Sequence, residues 1–161
     1  MPTDNADELK EEMQGYKARI TPTTQATLTW SRDLVFAGTT PQGYDLDFDA
    51  DAQWGCKPTE ALLLSLGGCM AIDIVSILKK MRMEISSLRI DLQGERNPDP
   101  PQYFKTVEMT LRLAGRNLEP RRIERAIALS REKYCSVYNS LRPDLDLRVR
   151  TLIEEAPPTP A

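Results

Sequence analysis

Three cysteines, Cys56, Cys69 and Cys135, are the residues of this 161-residue chain best suited to chemistry. The chain has no histidine. That excludes Cys-His and Ser-His nucleophile pairs and every zinc site built on imidazole. The cysteines are spaced 13 and 66 residues apart, so neither a CxxC nor a zinc-ribbon pattern is present. Any chemistry they carry is therefore expected to be redox chemistry of sulfur itself. Cys69 lies in Ser65–Asp73, "SLGGCMAID", the middle of the most apolar part of the chain. Two readings stand side by side there. Free cysteine commonly packs as a small buried hydrophobe, or Cys69 is a thiolate nucleophile.

Three features favour the nucleophile. Gly67 and Gly68 directly precede Cys69, and two glycines inside a helix cost roughly 1–2 kcal/mol relative to alanine. They are expected to thin or break the helix. A break would put Cys69 at a new helix N-terminus, whose unpaired N–H groups favour thiolate. The third feature is Cys135, which follows Tyr134 at the end of a second helical segment. One buried thiol and one at an element end suit an attacking and resolving pair. Asp73 argues the other way. It lies four residues after Cys69, on the same helix face, where a carboxylate raises a thiol pKa. Either a cation lies nearby or Asp73 points elsewhere. Cys56, in "WGCKPTE", reads as a loop cysteine.

These residues must be positioned by a small set of elements. Apolar–polar alternation marks strands through Ala26–Trp30, Leu34–Ala37, Tyr44–Phe48, Leu88–Gln93, Val107–Leu113 and Leu145–Thr151. A turn in "GTTPQG" joins the second and third, and "GERNPDPPQ" the fourth and fifth. Such alternation predicts half-buried, mostly antiparallel strands. A long helix is predicted over Ala61–Met81, apolar nearly all round and therefore buried on several sides. Pro58 and Glu60 open it, and Lys79, Lys80 and Arg82 close it. A second helix, from about Leu118 to Tyr134 with Asn117 as cap, carries one apolar stripe and reads as a surface helix. The order β-β-β-α-β-β-α-β defines an α+β fold, the long helix lying against an antiparallel sheet. One helix is too apolar for a small monomer to cover, so a dimer is expected.

Hydrophobic residues make up 40% of the chain and charged residues 28%, the balance of one soluble globular domain. Residues 1–15 read as a mobile acidic arm, 16–154 as one domain, and 155–161 as a Pro-rich tail. The net charge of −3, with no long basic run, argues against nucleic acid. The apolar run Ala61–Ile72 is about half a membrane span, so no membrane association is expected. The N-terminus lacks the pattern of a signal peptide, which points to the cytoplasm. No nucleotide-binding glycine motif is present, and no cofactor or metal is expected.

"PTEALLLSLGGCMAIDIVSILKKMR" (58–82) resembles the central helix of the OsmC/Ohr family, the osmotically inducible and organic hydroperoxide resistance proteins. It is most similar to the branch reading "GGC.GIDVVSILKKMR". "EKYCSV" (132–137) resembles the family's second cysteine segment, and the likeness spans roughly residues 24–153. It implies an OsmC-like fold, an intertwined homodimer with active sites at the subunit interface, and a cysteine-dependent peroxidase in oxidative-stress defence. Cys69 would attack an organic hydroperoxide, or hydrogen peroxide, and become a sulfenic acid. Cys135 would condense with it to a disulfide, and a dithiol of lipoyl or thioredoxin type would reduce that bond. In the family an arginine and a glutamate hold the thiolate. Glu60 matches the glutamate in type, nine residues before Cys69 and one closer than in the family pattern. Arg32 is the candidate arginine, with Arg19 and Arg82 as alternatives. A redox-sensing or small-molecule-binding protein on the same fold, with weak or no peroxidase activity, remains the alternative.

Overall fold

The computed structural model describes residues 22–154. The proposed arm and tail, and Arg19, lie outside the described residues. The chain divides into two compact units, the first ending at Ala61 and the second beginning at Leu62.

The first unit is an antiparallel meander of β1 (Thr27–Arg32), β2 (Val35–Thr39) and β3 (Asp45–Asp49), in that order. Threonine, tryptophan, valine and phenylalanine suit a pleated surface. The "GTTPQG" turn falls where the sequence predicts it. Gly43 takes φ 84° there and donates its N–H to Thr40 O at 2.9 Å. The loop after β3 folds around the Asp49 carboxylate, which accepts N–H bonds from Asp51, Gln53 and Trp54 at 2.9, 3.1 and 3.0 Å.

Helix α1 (Pro58–Lys80) crosses into the second unit. There follow β4 (Glu84–Arg96), β5 (Phe104–Arg116), α2 (Pro120–Leu129), a π-helical turn (Ser130–Tyr134), the short α3 (Ser136–Ser140) and β6 (Asp146–Glu154). The sheet order is β4-β5-β6, and the fold is α+β. One pairing corrects the expected antiparallel sheet: β5 and β6 run parallel, from Thr106↔Asp146 to Ala114↔Glu154. The helical crossover between them explains this, since parallel neighbours need a long connection. Leu66, Met70, Ile74, Ile77 and Leu78 of α1 are fully buried, as are Val107, Met109, Leu111 and Leu113 of β5 and Ile123 of α2.

α1 buries one broad stripe and leaves Leu64 and Ile72 64% and 56% exposed, in line with a helix too apolar for one small chain to cover. One helix expectation is corrected: Asn117 does not cap α2. It adopts φ 59° in the approach, and Glu119 is the capping residue, with Pro120 in the first turn. α1 is long and apolar enough to span a bilayer by composition alone. Its buried stripe, with Asp73 inside it, is the pattern of a core helix.

Candidate active site

α1 runs unbroken through Gly67 and Gly68. The expected new helix N-terminus at Cys69 is therefore absent, and that argument for a thiolate falls. The glycines serve different ends. A Cβ on Gly67 would meet Leu92 Cδ1 of β4 at 2.6 Å, so this glycine lets helix and sheet approach closely. A Cβ on Gly68 would meet nothing within 4 Å. Gly67 and Gly68 help line an open apolar groove of about 270 Å³ with Leu64, Ala71, Leu88 and Leu92.

Cys69 sits on α1 and is partly accessible, while Cys135 is fully buried. The π-helical turn delivers Cys135. Its N–H donates to Ser130 O at 2.7 Å, the i→i−5 bond of a π turn, a geometry often found at functional sites. Cys135 then caps α3, its sulfur accepting the Tyr138 N–H at 3.3 Å. The Asn139 side chain donates to Cys135 O at 2.9 Å and to Arg131 O at 3.2 Å. Arg131 ties the turn to its surroundings, donating to Leu147 O at 3.1 Å and Tyr138 Oη at 3.3 Å.

The two sulfurs and a carboxylate oxygen of Asp73 lie within 4.8 Å of one another. Asp73 therefore does not point elsewhere. It is 1% exposed, and Ser130 Oγ donates to its Oδ2 at 3.0 Å. Burial pushes the Cys135 thiol up to about 12; the neighbouring Cys69 and Asp73 add to the rise, against the Tyr138 N–H bond, which lowers it. The site thus holds one accessible thiol and, beside it, one kept protonated. Ser130 and Arg131 escape the sequence reading because, on an amphipathic helix, a serine and an arginine off the stripe look solvated. The "EKYCSV" resemblance placed Cys135, but a π turn has no composition signal.

Of the other predicted site residues, Arg82 follows α1 in the second unit with φ 61°, and Arg32, Glu60 and Cys56 belong to the first unit. Arg32, exposed on β1, stacks over the Trp54 ring at 5.2 Å and helps lower the Asp49 pKa, for which the backbone bond from Asp51 is the largest cause. Glu60 accepts the Lys57 N–H at 2.9 Å, half of a capping box at the start of α1. Cys56 lies in the loop, as expected, its Sγ donating to Asp47 O at 3.6 Å.

An α+β fold of this topology, with paired thiols at the long helix and at the end of the second, defines a recognisable class. The model for OsmC-like proteins matches residues 49–150, and the chain belongs to that family. It is 36% identical over 114 residues to the protein YhfA of Escherichia coli strain K12, spanning 70% of this chain and 85% of YhfA. A hypothetical protein from Aquifex aeolicus VF5 superposes with a TM-score of 0.77 at 29% identity, covering 85% of this chain and all of that one. The organic hydroperoxide resistance protein OhrB of Bacillus subtilis shares the fold, with a TM-score of 0.57 at 20% identity over 81% of this chain and 98% of OhrB.

Proposed function

We propose that this protein is a thiol-dependent peroxidase that reduces organic hydroperoxides. The observation that carries this reading is the approach of the Cys69 and Cys135 sulfurs to within 4.8 Å of each other. The Cys69 thiolate attacks the distal peroxide oxygen. The O–O bond breaks, and the alkoxide takes up a proton and leaves as the alcohol. Cys69 becomes a sulfenic acid. Cys135 attacks its sulfur, the hydroxyl departs as water with the Cys135 proton, and a disulfide forms. An external dithiol restores both thiols. Glu60, which matches the family's glutamate in type but stands one residue closer to the cysteine, and Arg32, the candidate arginine, are proposed as the supporting charges.

We further propose a homodimer, supported by the exposed Leu64 and Ile72 on a helix otherwise built for a core. A cytoplasmic setting fits three free cysteines, two of them in reach of one another. Asp73 favours a second reading, a redox sensor with slow peroxide turnover, because its carboxylate helps hold the resolving Cys135 thiol protonated.

The test is to mix reduced protein with cumene hydroperoxide, follow its consumption and map disulfides by mass spectrometry. Catalytic consumption with a Cys69–Cys135 bond is expected, abolished by Cys69→Ser. Oxidation without turnover would favour the sensor, and no disulfide would end both readings.

A further inference from the structure

We propose that the reduced protein binds one thiophilic divalent cation, of the zinc or cadmium type, through Cys69 Sγ, Asp73 carboxylate and Cys135 Sγ. The inference goes beyond the peroxidase reading and does not depend on it. The three donor atoms lie within 4.8 Å of one another. A tetrahedral zinc site with Zn–S of about 2.3 Å sets its sulfurs about 3.8 Å apart. Side-chain adjustments on the order of 1 Å close the set around a cation.

The scaffold suits this role. Cys69 and Asp73 are four residues apart on α1, the same helical spacing that presents two ligands side by side in helical zinc motifs. Cys135 comes from a separate element, fixed by bonds at its N–H, its carbonyl and its sulfur. Ser130 Oγ holds Asp73 Oδ2, the outer-shell contact that orients a ligating carboxylate. Two thiolates and a carboxylate carry three negative charges, and a divalent cation offsets two of them. Cys69 is partly accessible while Asp73 and Cys135 are buried, so a cation would enter from the Cys69 side.

Binding releases the two thiol protons as two metal–sulfur bonds form. Forming the Cys69–Cys135 disulfide removes two electrons from the same two sulfurs. An azo oxidant such as diamide takes both electrons, and two protons from water, and becomes a hydrazine. The disulfide has no thiolate left to ligate, so the cation is expelled. The site is therefore expected to couple metal occupancy to redox state.

The experiment uses the full chain, reduced and stripped with chelator, and titrates Cd²⁺ while following the thiolate-to-metal charge-transfer absorption. Zn²⁺ competition against a chromophoric chelator gives the affinity. One cation per chain is expected, with Cys56→Ser unchanged. Cys69→Ser and Cys135→Ser are each expected to lose about half the absorption and at least about tenfold in affinity. Asp73→Asn keeps the absorption and loses about tenfold or more. Diamide releases the metal. Circular dichroism checks each variant's fold; should Cys135→Ser fail to fold, Cys69→Ser decides, because its side chain is partly exposed. No charge-transfer band, a band that Cys56→Ser removes, or an unchanged band in Cys69→Ser would overturn the proposal. A metal site without peroxide turnover would leave it standing while ending the peroxidase reading.

Discussion

Asp73 is the one carboxylate placed beside both thiols among the described residues. Its carboxylate is buried, held by Ser130, and placed beside both sulfurs. Asp73→Asn keeps the volume and leaves an oxygen to accept from Ser130, while removing the charge. Asp73 is the last-ranked cause of the rise at Cys135, behind burial and Cys69. Removing the charge is therefore expected to raise the Cys135 alkylation rate at a fixed mildly alkaline pH, and by less than the whole of the shift. Mass-spectrometric alkylation kinetics measure it, and a slower Cys135 would contradict this electrostatic account. The raised pKa also has a consequence for stability. Between the ordinary thiol value of 9.0 and about 12, the folded protein keeps a proton that the unfolded chain has lost. Stability is thus expected to carry this contribution in full below pH 9 and to lose it as pH rises towards 12. Urea denaturation across that window, compared with Cys135→Ala, isolates the slope.

The elements explain why the pair is held as it is. Arg131 links the π-helical turn to Leu147 O near the start of β6 and to Tyr138 on α3. Arg131→Ala is expected to cost about 1–2 kcal/mol and to slow disulfide formation, because the segment that aims Cys135 loosens. Arg131→Lys should recover only part of this, since it cannot reproduce the planar fork. Gly67→Val drives a branched side chain into Leu92 and is expected to cost about 1–3 kcal/mol. Gly68→Ala, with open space around it, should gain about 0.5–1 kcal/mol from helix propensity. Denaturation midpoints at unchanged m-value separate the two. Much of this level was legible in the sequence. Alternation located all six strands, although β1 is exposed along its whole length and so does not show the half-burial that alternation predicts, and the apolar run located α1. Alternation carries no strand direction, so the parallel β5–β6 pair was missed, although the intervening helix implies it. The π turn was missed because its bonding is set by tertiary context around Ser130 and Cys135. The two thiols were legible from residue type and from the resemblance; their approach to Asp73 and Ser130 needed coordinates.

At the scale of the whole molecule, the described residues leave much apolar surface uncovered. In the first unit Leu28, Trp30, Leu34, Tyr44 and Trp54 are all more than half exposed. In the second, Leu64 and Ile72 stand out from a helix whose opposite stripe is fully buried. Monomeric proteins scatter single apolar residues on their surfaces, but contiguous apolar faces mark interaction sites. A long helix with Leu66, Met70, Ile74 and Ile77 buried on one side, and Leu64 and Ile72 bare on the other, supports the proposed homodimer. Closed twofold pairing covers such a face with a copy of itself and is the commonest assembly of soluble chains. Size-exclusion chromatography with light scattering should therefore give twice the 18.2 kDa chain mass. Leu64→Glu, five residues from Cys69 on α1 and 64% exposed, puts a charge on the exposed face and should shift the protein to the chain mass. It should also lower peroxide turnover if residues of one copy complete the site of the other. A wild-type protein that elutes at the chain mass at micromolar concentration would instead require another partner for these faces.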